Sequence, residues 1–269
     1  MLLTSLNAAD KIKLACIGNS ITAGASNYPT YLQKLLGSDY QVENDGVGGT
    51  TMLKKGDSPY WTNGRLRQAL AFMPDMVTIK LGTNDTKSQN WDAHGGEFKD
   101  DYLSMIDTLN TLSTKPDIFL VLPVPVFRTN YGIRDNILKE IIVIIKEIGT
   151  ERGLPVIDAN TPLLGFGNYF SDGIHPNGAA SDTIAHVIYR ALVAATPIAF
   201  SSGSRLPACS ETNIQPIVRY LSFHGWPGPS DGLFELNGRV LRSNDGRNRT
   251  GVPSVKVYRM DGATIKPAR

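Results

Sequence analysis

The sequence predicts an α/β fold, a parallel sheet covered by helices on both faces, over residues 11–195 of the 269-residue chain. Three observations predict it. Five short apolar runs alternate with segments of helical spacing, the pattern of parallel strands joined by helical crossovers. The runs are apolar enough to be buried on both faces. Polar motifs follow directly behind the first three runs. Crossover handedness puts strand-to-helix loops at the carboxyl edge of the sheet, where such folds bind ligands.

The elements follow in order. Residues 12–17 read as a buried strand, and 29–36 have helical spacing that stops at Gly37, a usual helix end. Residues 40–44 form the second strand and run into Gly46-Val47-Gly48-Gly49-Thr50. A helix over 64–72 is stopped by Pro74, and the third strand, 76–81, ends in Gly82-Thr83-Asn84-Asp85. Residues 97–112 place Phe98, Tyr102, Met105, Ile106 and Leu109 on one helical face. A fourth strand is expected over 117–124, then a helix over 133–148 despite its many β-branched residues. A short strand at 155–158 and a helix over 177–194 close the pattern.

Beyond Pro197 the composition turns to Gly, Ser, Pro and Arg. Alternating runs at 217–223, 232–241 and 255–260 predict a small β-rich extension over 198–269. Its Arg239, Arg242, Arg247, Arg249, Arg259 and Arg269 read as a solvated surface. A net charge of +2 leaves nucleic-acid binding without electrostatic support. No 18-residue apolar stretch predicts a membrane span. Cys16 and Cys209 make neither a disulfide framework nor a zinc cluster, and no bridge between them is expected. Met1 to Asp10 lack a basic start. A processed signal-peptide stump and an ordinary chain start fit them equally.

Chemistry concentrates in two segments far apart in the chain, Gly18-Asn19-Ser20-Ile21-Thr22 and Asp172-Gly173-Ile174-His175-Pro176. A serine attacks an ester only if a base takes its proton, and the imidazole needs a partner to set its tautomer. Ser20 follows a buried strand at the sheet's open edge, His175 is the candidate base, and Asp172 its partner. The competing reading of Ser20 is a helix cap. Candidate oxyanion donors are the backbone amides of Ser20 and Gly49 and the side-chain amide of Asn84. Gly49 reads equally as a turn glycine, and Asn84 as a turn former with Asp85 capping the next helix. The segment around Ser20 matches neither Gly-x-Ser-x-Gly nor a phosphate loop. His94, His186 and His224 lack metal-ligand spacing, so no metal or cofactor is expected.

These four blocks resemble those of the SGNH hydrolase superfamily, the GDSL-type esterases and lipases. Gly18 to Thr22 is similar to the nucleophile block, and Asn44 to Gly49 to the block whose glycine gives an oxyanion amide. Gly82 to Asp85 is similar to the block whose asparagine gives another, and Asp172 to His175 to the Asp-x-x-His block. The resemblance covers 11–195 and implies a flavodoxin-like three-layer α/β/α sandwich. One departure is Asn19, where the family's name motif has Asp. The stretches 48–61 and 123–134 resemble bacterial carbohydrate acetylesterases, of the sialate O-acetylesterase and acetylxylan esterase kinds. The resemblance implies a serine esterase acting on an acetylated carbohydrate, without cofactor, in a secreted or periplasmic setting. Tyr60, Trp61 and Arg128 are expected on the sugar or acyl side, with surface packing as their alternative. The rival functions are a lysophospholipase or thioesterase using the same residues, a non-catalytic glycan-binding module, and a flavin-binding protein.

Overall fold

The structure, a computed structural model, describes residues 11–195 and four short strands further along the chain. Five strands form one parallel sheet: β1 (Ile12–Gly18), β2 (Tyr40–Gly46), β3 (Met76–Lys80), β4 (Asp117–Val121) and β5 (Val156–Ile157). Their order is β2-β1-β3-β4-β5. This is the flavodoxin-like order, in which the winding direction reverses between β1 and β3 and opens a crevice at their carboxyl ends.

Alternation along the strands sorts the core into two layers. Ala15, Ile17, Val77, Ile79, Ile118 and Leu120 pack against α3 (Gly64–Ala71), α5 (Phe98–Leu109) and α6 (Asp135–Arg152). Leu14, Cys16, Met76, Phe119 and Val121 face α2 (Tyr28–Leu36) and α7 (Gly178–Ala195). Cys16 is a free, buried thiol, and burial pushes its pKa up to about 12. It is a small core residue.

Helix α6 shows why β-branched residues did not prevent a helix. Ile141, Ile145 and Ile148 are fully buried on one face. Burying each contributes about 1.5–3 kcal/mol, against a propensity penalty below about 0.7 kcal/mol. The helix outruns the expected 148 and stops at Gly153, which takes left-handed backbone (φ 63°, ψ 29°). Strand β4 ends earlier than the expected 124. Leu122 N–H still donates to the Ile157 carbonyl, but Pro123 has no N–H to continue the ladder.

Two α-helices were not expected, and both lie at the sheet's carboxyl edge. They are α1 (Ser20–Ala23) and α4 (Ser88–His94). Helix α1 lies directly on the strand ends. A Cβ on Gly18 would fall 2.0 Å from Thr22 Oγ1, and one on Gly46 would fall 2.3 Å from the Ala23 nitrogen. Only glycine at both strand ends lets the turn carrying Ser20 come this close.

The chain divides into two units, Met1–Ser202 and Gly203–Arg269. In the second, β6 (Leu233–Phe234) pairs antiparallel with β7 (Val240–Leu241), so the expected run at 232–241 is two strands. Strand β8 (Tyr258–Asp261) pairs antiparallel with β9 (Thr264–Pro267). The run at 217–223, Cys209, His224, the tail arginine side chains and Met1 to Asp10 lie outside the described residues.

Candidate active site

Three loops behind β1, β2 and β3, and a fourth segment before α7, meet at the crevice. Asn19 caps α1: its Oδ1 accepts from the Ile21 amide at 3.0 Å. The amide oxygen of Asn19 thus makes the cap that a carboxylate would make. It also settles the alternative reading of Ser20. Ser20 is the first helical residue rather than the cap, and its hydroxyl is left to His175.

The His175 Nε2 lies 2.9 Å from Ser20 Oγ. On the other side of the ring, Nδ1 lies 2.7 Å from Asp172 Oδ2. With Nδ1 donating to the carboxylate, Nε2 is the nitrogen left to accept from the hydroxyl. The second Asp172 oxygen, Oδ1, accepts from the backbone amides of Ile174 (2.9 Å) and His175 (2.8 Å). Burial would raise the Asp172 pKa. The His175 amide, the His175 ring and the Ile174 amide outweigh it and hold the carboxyl well below the usual range. The partner is ionised at any pH at which the imidazole can act as a base. Gly173, at φ 82°, allows the tight turn, and its Cα side is closed by Arg128, whose Cβ would stand 2.6 Å from an added methyl.

The loop after β2 also reaches Ser20. A Cβ on Gly48 would stand 4.0 Å from Ser20 Cβ, and Gly49 takes left-handed backbone at φ 79°. The next residue but one after Gly48 is tied to the third loop, since Asn84 Nδ2 donates to the Thr50 carbonyl at 3.0 Å. That bond uses one of the two amide hydrogens of Asn84 and leaves one for another acceptor. The loops that carry Gly49 and Asn84 are thereby joined to each other, and the first of them reaches Ser20.

The supporting residues were less legible. Asp85 does not cap the next helix. Its Oδ1 accepts from the Leu53 amide at 2.8 Å, so it fastens the loop that carries Gly49. Burial pushes its pKa up to about 7, against the pull of the Leu53 and Met52 amides. Asn90 is buried and donates to the Asn84 carbonyl (2.9 Å) and to Asp57 Oδ1 (3.0 Å), while accepting from the Asp57 amide (2.7 Å). It sits in the unexpected α4, and no periodicity marks it. Two further residues touch Asp172. Asn130 Nδ2 donates to its backbone carbonyl at 2.5 Å, and the Tyr131 hydroxyl lies 3.4 Å from Oδ2.

One of the three expected substrate contacts, Tyr60, is corrected. Tyr60 is fully buried, and its hydroxyl donates to the Asp45 carbonyl at 2.6 Å. Burial raises its pKa far above the ordinary phenol value. A side chain enclosed in this way lines no open site. Trp61 donates through Nε1 to the Met52 carbonyl at 2.8 Å and packs on the core, with the Lys54 ammonium 4.5 Å over its ring. It braces the loop after β2. Arg128 is exposed and borders the Asp172–His175 turn. No cluster of three metal-ligating side chains occurs among the described residues.

Comparison with known proteins agrees with this architecture. An acetylxylan esterase from Xylanibacter ruminicola is 39% identical over 209 residues, which are 68% of this chain and 43% of that protein. The chain thus spans less than half the length of that relative. Among solved structures, an acetyl xylan esterase, AlAXEase, superposes with a TM-score of 0.54 at 20% identity, covering 67% of this chain and 100% of that one. A GDSL-like lipase from Bacteroides thetaiotaomicron gives 0.54 at 20% identity, covering 69% and 89%. These structures share the fold. The family model of GDSL-like lipases and acylhydrolases matches residues 16–182, from β1 into α7 and across all four blocks, and the chain belongs to that family.

Proposed function

We propose that the protein is a serine esterase that removes short acyl groups, acetyl foremost, from carbohydrate hydroxyls. The observation that carries this reading is the unbroken relay from Ser20 Oγ through His175 to Asp172, at 2.9 Å and 2.7 Å. The oxygen of Ser20 attacks the ester carbonyl while His175 Nε2 takes its proton. Asp172 stabilises the resulting imidazolium. The developing oxyanion is met by the amides of Ser20 and Gly49 and the remaining hydrogen of Asn84. His175 then returns the proton to the sugar oxygen as the carbon–oxygen bond breaks. Water, activated by the same imidazole, hydrolyses the acyl-serine and frees the acid.

Likeness to an acetylxylan esterase supports the substrate class, as do the polar groups beside Asp172. A polymeric substrate that stays outside the cell fits a secreted or periplasmic enzyme. The test is turnover of p-nitrophenyl esters of increasing chain length, alongside acetate release from acetylated xylan and acetylated sialic acid. Activity is expected to be highest at C2 and to fall by C8. A maximum at C8 or longer rejects the reading in favour of a lipid or thioester substrate.

Asn84→Ala removes one proposed oxyanion donor together with the bond to the Thr50 carbonyl. It is expected to lower kcat by about 10²–10³-fold with little change in KM, because the donor acts on charge that develops after binding. A kcat within about threefold of wild type would remove Asn84 from that role.

A further inference from the structure

Tyr131 combines three properties that do not normally occur together. Its backbone is left-handed (φ 58°, ψ 17°), a conformation that bulky residues rarely adopt. The residue is 65% exposed, the most open large hydrophobic among the described residues. Its ring lies beside the His175 imidazole, with centroids 5.6 Å apart and planes at 71°. Unfavourable backbone of this kind persists only where the surroundings enforce it, and it concentrates at ligand-contacting positions. Here the enforcement is local. Asn130 holds the Asp172 carbonyl from one side, and Gly132 follows with φ 74°. The effect is to hold a large aromatic ring in water at the edge of the proposed acyl-transfer site.

Neither packing nor the hydroxyl accounts for that placement. A ring packed for stability would be covered, as Tyr60 and Tyr102 are. The hydroxyl contact to Asp172, at 3.4 Å, is at the long limit of a hydrogen bond. The ring is what the turn presents. An aromatic side chain offers a flat apolar face with a polar rim, which suits a pyranose, whose axial C–H groups are apolar and whose edges are hydroxylated.

Resting on the esterase reading above, we propose that Tyr131 is the platform on which a pyranose ring of the acylated saccharide stacks while its ester reaches Ser20. Tyr131 then selects sugar esters over simple alkyl or aryl esters by binding the alcohol side. The acyl side is left to the donors around Ser20.

The test compares wild type, Tyr131→Phe and Tyr131→Ala on acetylated xylo-oligosaccharide and on p-nitrophenyl acetate. Tyr131→Ala is expected to raise KM for the oligosaccharide about tenfold, several times more than it affects the aryl ester, as the loss of one stacking contact would. Tyr131→Phe keeps the ring and is expected to stay within about twofold on the oligosaccharide. Equal losses on both substrates, or a phenylalanine variant as impaired as alanine, overturn the proposal and make Tyr131 a positioning residue for Asp172. Wild type that hydrolyses the aryl ester but no acetylated saccharide overturns the carbohydrate reading itself, and the platform with it.

Discussion

Ser20→Ala is expected to reduce acetate release from p-nitrophenyl acetate by about 10⁴-fold or more, leaving only what the oxyanion donors and binding supply. His175→Ala should fall to a similar level. The double variant should be little worse than either, because the hydroxyl and the imidazole work as one unit through the 2.9 Å contact. The fold should be nearly indifferent to Ser20→Ala. The serine is half-buried, Asn19 rather than Ser20 caps α1, and one lost hydrogen bond is worth about 1 kcal/mol. A Ser20→Ala protein retaining activity within tenfold of wild type would place the nucleophile elsewhere.

Lys80→Met is expected to stabilise the protein, and more so near neutral pH than in alkali. Lys80 ends β3 in register with Gly18, on the sheet face that carries Cys16 and Thr78. Its side chain is buried, and its ammonium has no hydrogen-bond or ion-pair partner among the described residues. Burial depresses its pKa from 10.5 to about 7. Above 10.5 the folded and unfolded chains are both neutral at this position, and no charge is forced inside. As pH falls from 10.5, the unfolded chain takes up the proton first, and stability is lost until the folded state also protonates near 7. The loss is on the order of a few kcal/mol, enough to move the melting temperature by several degrees. Methionine has similar reach and no charge, so the variant should melt higher at pH 7, with the gap closing toward pH 10. A variant that melts lower at pH 7, or a gap independent of pH, would show that the ammonium is satisfied in the fold.

The strands and helices were legible because their signals are local. β3 is buried on both faces, and Met76, Val77 and Ile79 say so without knowledge of any neighbour. α5 carries its apolar residues at helical spacing. Boundaries failed where a local preference met a tertiary constraint. Pro123 cut β4 short, and packing carried α6 past its β-branched stretch to Gly153. α1 and α4 went unread because four and seven residues are too few to show a period, and because polar turn residues populate both.

Chain position separates the residues proposed to carry chemistry from those that hold them. Ser20 and Asn84 follow the buried strands β1 and β3, Gly49 follows the partly exposed edge strand β2, and Asp172 and His175 stand three residues apart. Both patterns are visible in a string of letters. Asp85, Asn90 and Asn130 reach across 32, 33 and 42 residues to their partners, and no spacing rule announces such contacts. Tyr60 and Tyr131 make the same point for one residue type. Each has a ring and a hydroxyl, yet Tyr60 closes over the core and Tyr131 stands in water beside His175.

From the sequence alone come the candidate reacting groups, their order along the chain and the sheet that carries them, since apolar periodicity and turn chemistry are properties of neighbours in the chain. Only the folded structure decides that Asn19 takes the cap and leaves the Ser20 hydroxyl to an imidazole 155 residues away. The same holds for which tyrosine meets solvent. Both depend on how separate layers pack, and packing is decided by surfaces that no single segment contains.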